Sequence, residues 1–169
     1  MKSRIFLIGF MGSGKTHWGR IWAEKKQVNF FDLDKQIEKA AGESIADIFE
    51  KKGEEYFREI ERHVLRKFEV RNNFILACGG GTPCFFENLQ WMNEKGATVY
   101  LRATPSEILE RVTAEIQDRP LLKKVNPSEL LFFIEQKLKE REPFYRQAKY
   151  ILDTDSLTIT SLSEVLSKD

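Results

Sequence analysis

The stretch Gly9-Phe10-Met11-Gly12-Ser13-Gly14-Lys15-Thr16 decides the fold, because it follows the order of a phosphate-binding P-loop: glycine, four residues, glycine, lysine and serine or threonine. Glycines carry no side chain, so backbone N–H groups of such a loop can approach phosphate oxygens and form an anion nest. Gly12-Ser13-Gly14 are expected to hold the phosphates in this way. In the same pattern Lys15 reaches the β and γ phosphates, and the hydroxyl of Thr16 faces Mg²⁺.

The sequence on both sides of this loop supports the interpretation. Residues 4–8 form a continuous apolar run, as a strand buried on both faces requires. Trp18, Ile21 and Trp22 follow at a spacing that places them on one helix face. Strand, loop and helix are the context that a P-loop needs, although a chance match or a degenerate, purely structural loop remains the alternative.

Length and composition limit the possible classes of protein. The 169 residues suit one domain, and 27 basic against 26 acidic side chains give no field that would attract nucleic acid. Neither a signal peptide nor a membrane span is visible, and Cys78 and Cys84 do not form a Cys-x-x-Cys pair. We therefore expect a cytoplasmic protein, and a monomer, since no separate apolar surface is evident.

The hydrophobic pattern predicts an α/β fold. Five apolar segments alternate with helical patterns, which favours a parallel sheet of five strands covered by helices on both faces. The strands are expected at residues 4–8, 28–31, 74–78, 97–101 and 150–152.

Two further motifs follow predicted strands. Asp32-Leu33-Asp34 ends the second strand and places two carboxylates where a parallel strand delivers functional groups. Gly79-Gly80-Gly81 follows the third strand, where backbone could lie close to a ligand. The alternatives are that Asp34 caps the next helix, that Asp32 only ends its strand, and that the glycines form a flexible turn.

A polar and basic segment, residues 116–125, separates two predicted helices. It contains Arg119-Pro120-Leu121-Leu122 and lacks periodic apolar residues. Loops of this length in compact domains are often mobile lids, and we expect a lid at about 112–125. A plain surface connection is the alternative.

The motifs together resemble one family. Besides those above, they include residues 53–61, with Phe57-Arg58, and residues 141–145, with Arg141. In this order along nearly the whole chain they are similar to shikimate kinase, a P-loop small-molecule kinase related to the nucleoside monophosphate kinases. The resemblance implies a three-layer P-loop kinase fold. It also implies transfer of the ATP γ-phosphoryl group to the 3-hydroxyl of shikimate, in the pathway to chorismate and the aromatic amino acids.

The resemblance also implies roles for particular residues. Asp34 binds the acceptor hydroxyls, Arg58 and Arg141 bind the carboxylate, and the backbone of Gly80 touches the ring substituents. The helices at about 33–62 form the substrate-binding part. The nucleotide side is expected to contain Lys15 at the β and γ phosphates, Thr16 and Asp32 at Mg²⁺, Arg111 against adenine, and Arg119 closing over the transferred phosphate.

Other interpretations stay open at this point. Without the family, Arg58 would be a surface ion-pair residue, since Glu54 and Glu61 lie four before and three after it. Gluconate kinase, a nucleoside monophosphate kinase and a non-catalytic nucleotide-binding switch are rival functions. His17 and Trp18 receive no function beyond helix packing, and loop 153–156 lacks an arginine to contact the adenine.

Overall fold

The computed structural model describes residues 3–114 and 126–167, and a parallel sheet of five strands forms its centre. The strand order is β2-β3-β1-β4-β5. Each strand lies within one residue of the predicted bounds, so the α/β fold with a parallel sheet is confirmed. The strands are β1 (Arg4–Ile8), β2 (Asn29–Asp32), β3 (Phe74–Ala77), β4 (Ala97–Arg102) and β5 (Tyr150–Asp153).

Seven helices cover the two faces of this sheet in the described part of the chain. Apolar residues of α1 and α7 pack on one face, and those of the other five helices pack on the opposite face. Among these helices none is long and apolar enough to cross a membrane. The helices are α1 (Lys15–Lys26), α2 (Leu33–Ala41), α3 (Ile45–Arg66), α4 (Asn88–Lys95), α5 (Pro105–Ala114), α6 (Leu130–Tyr145) and α7 (Ser161–Leu166).

The central position of β1 fixes the P-loop. Ile5 pairs with Ile75 of β3 on one side and with Ala97 of β4 on the other. Because all five strands are parallel, their carboxyl ends share one edge, where ligands of such sheets bind. The loop from β1 to α1 therefore opens between the ends of β3 and β4.

Polar side chains fix where the helices begin. Asp32 caps α2 by accepting hydrogen bonds from the backbone N–H groups of Asp34 and Lys35, so the alternative that Asp34 is the cap is wrong. Residues 44–47, Ser-Ile-Ala-Asp, have the sequence pattern of a capping box, and Ser44 Oγ accepts a hydrogen bond from the N–H of Asp47 at 3.1 Å, as this pattern predicts.

Helix α3 contains a break at Gly53, and the residues after the break have one buried and one exposed face. Gly53 has φ 82° and ψ 175°, values outside the helical region. Beyond the break Phe57 and Val64 are buried, whereas Tyr56 is 43% exposed with the Lys52 ammonium 4.8 Å from its ring centre. The apolar spacing of residues 56, 57, 60, 64 and 68 predicts that Tyr56 also points inward, and this prediction is wrong, because its position is about 100° around the helix from Phe57.

The predicted lid falls mainly outside the described residues. Of the segment 112–125, residues 112–114 form the last turn of α5, and residues 115–125, including Arg119, are outside the described part.

A close contact between α1 and the sheet yields a stability prediction. A methyl group on Gly19 would lie 2.6 Å from Cε2 of Phe30 and 3.0 Å from Cδ1 of Leu7. Gly19→Ala should lower the free energy of unfolding, because overpacking costs about 1–3 kcal/mol and exceeds the gain of about 0.5–1 kcal/mol in helix propensity. Urea titration measures this, with Glu24→Ala on the exposed face of α1 as control. Stability equal to the wild type would contradict the close packing.

Candidate active site

The P-loop backbone explains why glycines occupy its pattern positions. Gly9, Gly12 and Gly14 have φ values of 142°, 73° and 87°, which residues with a side chain rarely adopt. Gly14 is also the residue that precedes the first turn of α1. The positive end of the helix dipole is thus directed at the space enclosed by the loop, where an anion is stabilised.

Lys15 brings its charge into the same space. Its Nζ donates hydrogen bonds to the carbonyl oxygens of Gly9 at 2.8 Å and Phe10 at 2.7 Å, and the side chain is buried. Ser13 Oγ lies 3.4 Å away. These contacts hold an ammonium group at the centre of the loop, where phosphate charge would be neutralised.

Thr16 and Asp32 meet at the edge of the sheet. Thr16 Oγ1 donates to Asp32 Oδ2 at 3.0 Å, while Asp32 Oδ1 accepts from the N–H of Asp34 at 3.1 Å. The cap of α2 therefore fixes the carboxylate, and the two oxygens predicted to face a metal lie side by side.

Asp34 lies behind this pair and is half-buried. Burial, the largest cause, and the nearby charges of Asp32 and Glu61 together raise the pKa of its carboxyl group from 3.8 to about 6, against the opposite influence of Lys15. A carboxyl group of this kind is poised to exchange a proton near neutral pH.

Three consecutive glycines after β3 each face a different side chain of the site. A methyl group on Gly79 would lie 3.2 Å from Glu61 Oε1 and 3.3 Å from Asp34 Oδ1, and one on Gly80 would lie 3.1 Å from Arg141 Nη1. A methyl group on Gly81 would lie 2.5 Å from Arg58 Nη2. This segment therefore brings Asp34, Arg58 and Arg141 together around bare backbone, and it is not a free turn.

Arg58 is held by ion pairs and by aromatic rings. Its Nη1 bonds Glu61 Oε2 at 2.9 Å, and its Nη2 bonds Glu54 Oε1 at 3.1 Å. The guanidinium carbon lies 4.3 Å from the centre of the Phe85 ring and 5.0 Å from that of Phe57. Arg58 does form the ion pairs that its spacing predicts, but it is only 6% exposed, so the interpretation of Arg58 as a surface residue is wrong.

Glu61 is the residue whose importance sequence reasoning missed. It is fully buried, bonds Arg58, and accepts a hydrogen bond from Thr82 Oγ1 at 2.6 Å. Burial raises the pKa of its carboxyl group, against the opposite influence of Arg58. The only available signal was its position three residues after Arg58, which equally suits an exposed pair.

Arg141 approaches the site from α6. Its guanidinium carbon lies 5.5 Å from the centre of the Phe10 ring, and the hydroxyl of Tyr145 donates to the carbonyl of Gly80 at 2.5 Å. Helix α6 is thereby tied to the glycine segment, which Arg141 approaches at Gly80 and Arg58 at Gly81.

Arg111 lies on the other side of the P-loop. Its Nη1 donates to the carbonyl of Gly12 at 3.1 Å, and its Nη2 lies 3.6 Å from Glu107 Oε1. Thr154 Oγ1 donates to the same Glu107 oxygen at 3.0 Å, which links the loop after β5 to this arginine. The position is compatible with a nucleotide contact, and that role stays a prediction.

Comparison with known proteins agrees with this geometry. The sequence model of the shikimate kinase family matches residues 11–168 of the chain. The chain belongs to the shikimate kinase family. A shikimate kinase of Bacteroides thetaiotaomicron is 42% identical over 154 residues, covering 91% of this chain and 88% of that protein.

Solved structures of the family resemble the whole fold. The crystal structure of a shikimate kinase from Bacteroides thetaiotaomicron superposes with a TM-score of 0.94 at 39% identity and covers 99% of both chains. A shikimate kinase from Acinetobacter baumannii, in complex with shikimate, gives a TM-score of 0.86 at 36% identity and covers 99% of this chain and 92% of that one. The family and the P-loop kinase fold predicted from the motifs are thus confirmed.

The environment of Asp34 yields a pH prediction. Because folding raises the pKa of this carboxyl group to about 6, the contribution of Asp34 lowers the free energy of unfolding as pH rises from about 4 to 6. Asp34→Asn removes this loss, so the variant should exceed the wild type in free energy of unfolding at pH 7 by on the order of 2 kcal/mol. The difference should shrink towards pH 4.

Urea titrations at pH 4 and pH 7 measure this difference. Glu55→Gln, an exposed change on α3, controls for the removal of one negative charge. A variant less stable than the wild type at pH 7 would mean that the Asp34 carboxylate is a stabilising group.

Proposed function

We propose that this member of the shikimate kinase family transfers the γ-phosphoryl group of ATP to the 3-hydroxyl of shikimate, giving shikimate 3-phosphate and ADP for chorismate and aromatic amino-acid synthesis. One observation carries the proposal. Gly79-Gly80-Gly81 brings a carboxylate, Asp34, and two guanidinium groups, Arg58 and Arg141, to one surface beside the P-loop. Shikimate has one carboxylate and three hydroxyls, which such a surface matches.

The acceptor would be held mainly by charge. Guanidinium groups bind carboxylates with paired, charge-assisted hydrogen bonds, so Arg58 and Arg141 are assigned to the shikimate carboxylate. The Gly80 backbone is assigned to the ring substituents, because it carries no side chain that would keep a ring away. Helices α2 and α3, which bear Asp34 and Arg58, correspond to the predicted substrate-binding part at about 33–62.

Phosphoryl transfer then needs positioning and charge neutralisation more than covalent chemistry from the protein. The shikimate 3-hydroxyl oxygen forms a bond to the γ-phosphorus, and the bond from that phosphorus to the oxygen bridging to the β-phosphate breaks. Asp34 orients the hydroxyl and accepts its proton, for which a pKa of about 6 is suited. Lys15 and the amides of Gly12, Ser13 and Gly14 bind the phosphates.

The residues present fit a Mg²⁺ ion. Thr16 Oγ1 and Asp32 Oδ2 are 3.0 Å apart, and the part of the chain that the structure describes has no cluster of three or more His, Cys, Asp or Glu side chains that could hold a metal alone. Mg²⁺ prefers oxygen ligands and keeps several waters and phosphate oxygens, so one hydroxyl and one carboxylate suffice. When bound, the ion would neutralise charge on the β and γ phosphates.

The remaining assignments rest on the family resemblance. Arg111 is assigned to adenine and Arg119 to the transferred phosphate, as the part of a lid that closes over it. Cys78 and Cys84 are both free thiols, which fits a reducing compartment, and we assign the protein to the cytoplasm. A monomeric state remains a prediction.

An activity panel tests the function. Coupled ADP release should occur with shikimate and not with gluconate or AMP. Lys15→Ala and Asp34→Asn should abolish it with unchanged circular dichroism, because one removes the phosphate-binding charge and the other the acceptor-binding carboxylate. Lys25→Ala, exposed at the end of α1, should keep wild-type turnover.

Two results would overturn the assignment. Comparable turnover of gluconate or AMP would indicate a different kinase. ATP binding without turnover of any acceptor would indicate a nucleotide-binding switch.

The carboxylate site allows a binding prediction. Arg141→Ala and Arg58→Ala should weaken shikimate binding by roughly one to two decades, since a charge-assisted hydrogen bond contributes about 1.5–3 kcal/mol. ATP binding should change far less. Arg58→Ala should also lower stability, because it leaves the buried Glu61 unpaired.

Calorimetric titration with each ligand separates these effects. Glu54→Gln is the matched control, since it removes the exposed partner of Arg58 and leaves Glu61 in place, and it should not weaken shikimate binding. Equal losses for shikimate and ATP would contradict the assigned carboxylate site.

A further inference from the structure

Trp18 occupies a specific place beside the P-loop. It lies one turn into α1, is half-exposed, and stacks on Trp22 with ring centres 5.5 Å apart and an interplanar angle of 27°. Trp22 is buried, and its indole N–H donates to the carbonyl of Thr158 at 3.0 Å. The Trp18 ring is therefore supported on one face by a partner that is itself anchored to the segment after β5.

The edge of this ring and the guanidinium group of Arg111 both lie close to Gly14. A methyl group on Gly14 would lie 3.3 Å from Trp18 Cδ1, 3.8 Å from Trp18 Nε1 and 4.0 Å from Arg111 Nη1. An indole and a guanidinium group thus converge on the same side of the last loop glycine. Within residues 3–114 and 126–167, no acceptor forms a hydrogen bond with Trp18 Nε1.

The two ends of the loop face different groups. Gly80, with Arg141 beside it, faces the start of the loop at the Met11 N–H and the Gly9 carbonyl. If the acceptor binds there, as the proposed function states, the terminal phosphate must face that end for transfer. The nucleoside then leaves the loop at the opposite end, where Gly14, Trp18 and Arg111 lie.

We propose that Trp18 is a binding residue for the adenosine moiety of ATP, which it contacts together with Arg111. Aromatic rings and guanidinium planes both stack on purines and pack on ribose, and the Trp18 N–H can donate to a nucleoside oxygen. The stack on Trp22 fixes the ring, so little side-chain freedom is lost on binding. This inference uses the proposed function only to decide which end of the loop the nucleoside occupies.

The test compares two ligands that share the phosphates. Trp18→Leu should weaken ATP binding by about 5- to 150-fold, the range for loss of one aromatic contact to a base. Inorganic tripolyphosphate has no nucleoside, so the affinity of Trp18→Leu for it should lie within about twofold of the wild-type affinity. Trp91→Leu is the matched control, because Trp91 packs on Phe6 from α4, and it should leave both affinities unchanged. Calorimetry with Mg²⁺ and without shikimate gives these values.

Fluorescence supplies a measurement that does not depend on the leucine variant folding. ATP should change the tryptophan emission of the wild type, tripolyphosphate should not, and the change should be lost in Trp18→Phe. Trp18 is not a nucleoside contact if Trp18→Leu binds ATP as the wild type does, if it weakens tripolyphosphate equally, or if Trp18→Phe keeps the emission change.

These outcomes are separate from those of the proposed function. If the wild type phosphorylates shikimate and Trp18→Leu binds ATP as tightly as the wild type, only the role of Trp18 is refuted. Wild-type protein that binds ATP and does not phosphorylate shikimate would refute the proposed function, and the ATP and tripolyphosphate comparison would still decide the role of Trp18.

Discussion

The site depends on the close approach of the backbone at Gly79-Gly80-Gly81 to three side chains from separate helices. Asp34 lies on α2, Arg58 on α3 and Arg141 on α6, and each meets one glycine of the segment. Because β3 lies next to β1, this segment also borders the P-loop. The parallel sheet thus brings the phosphate-binding loop and the charged side chains to one edge, and bare backbone lets them come within contact distance.

A buried charge network holds this arrangement in one geometry. Glu61 bonds both Arg58 and Thr82, and Asn88 Nδ2 donates to the Thr82 carbonyl at 3.0 Å. Burying a carboxylate is unfavourable unless it is paired and hydrogen-bonded, and here both conditions are met. The free-energy cost of burying Glu61 is offset because the ion pair fixes the orientation of Arg58. Arg58 cannot change its rotamer without leaving Glu61 unpaired. A substrate carboxylate would therefore meet an arginine that is already in place.

Much of the fold could be predicted from the sequence, because strands buried on both faces and capping boxes leave local signals. The P-loop, the strands and the start of α3 at Ser44 depend on neighbours in the chain. Burial that depends on residues far apart in the sequence leaves no local signal. The sequence therefore predicted a solvent-exposed Glu61 and a buried Tyr56, and the structure shows the opposite for both. A proline usually disturbs a helix, so the sequence predicts an interruption at Pro143, yet α6 continues to Tyr145, because a missing N–H near a helix end removes only one bond of the last turn. The sequence did not indicate that Trp18 and Arg111 both lie near Gly14, because this depends on how α1 and α5 pack.

The glycine segment also limits how the protein can change under selection by an inhibitor. A compound that fills the space against Gly79-Gly80-Gly81 would contact main chain and not replaceable side chains. Resistance usually arises when a substituted side chain blocks the compound and spares the natural ligand. At Gly81 any side chain would displace Arg58, and at Gly80 it would crowd Arg141. Substitutions that exclude such a compound would disturb the natural site as well, so few substitutions at this surface could give resistance and keep the site intact.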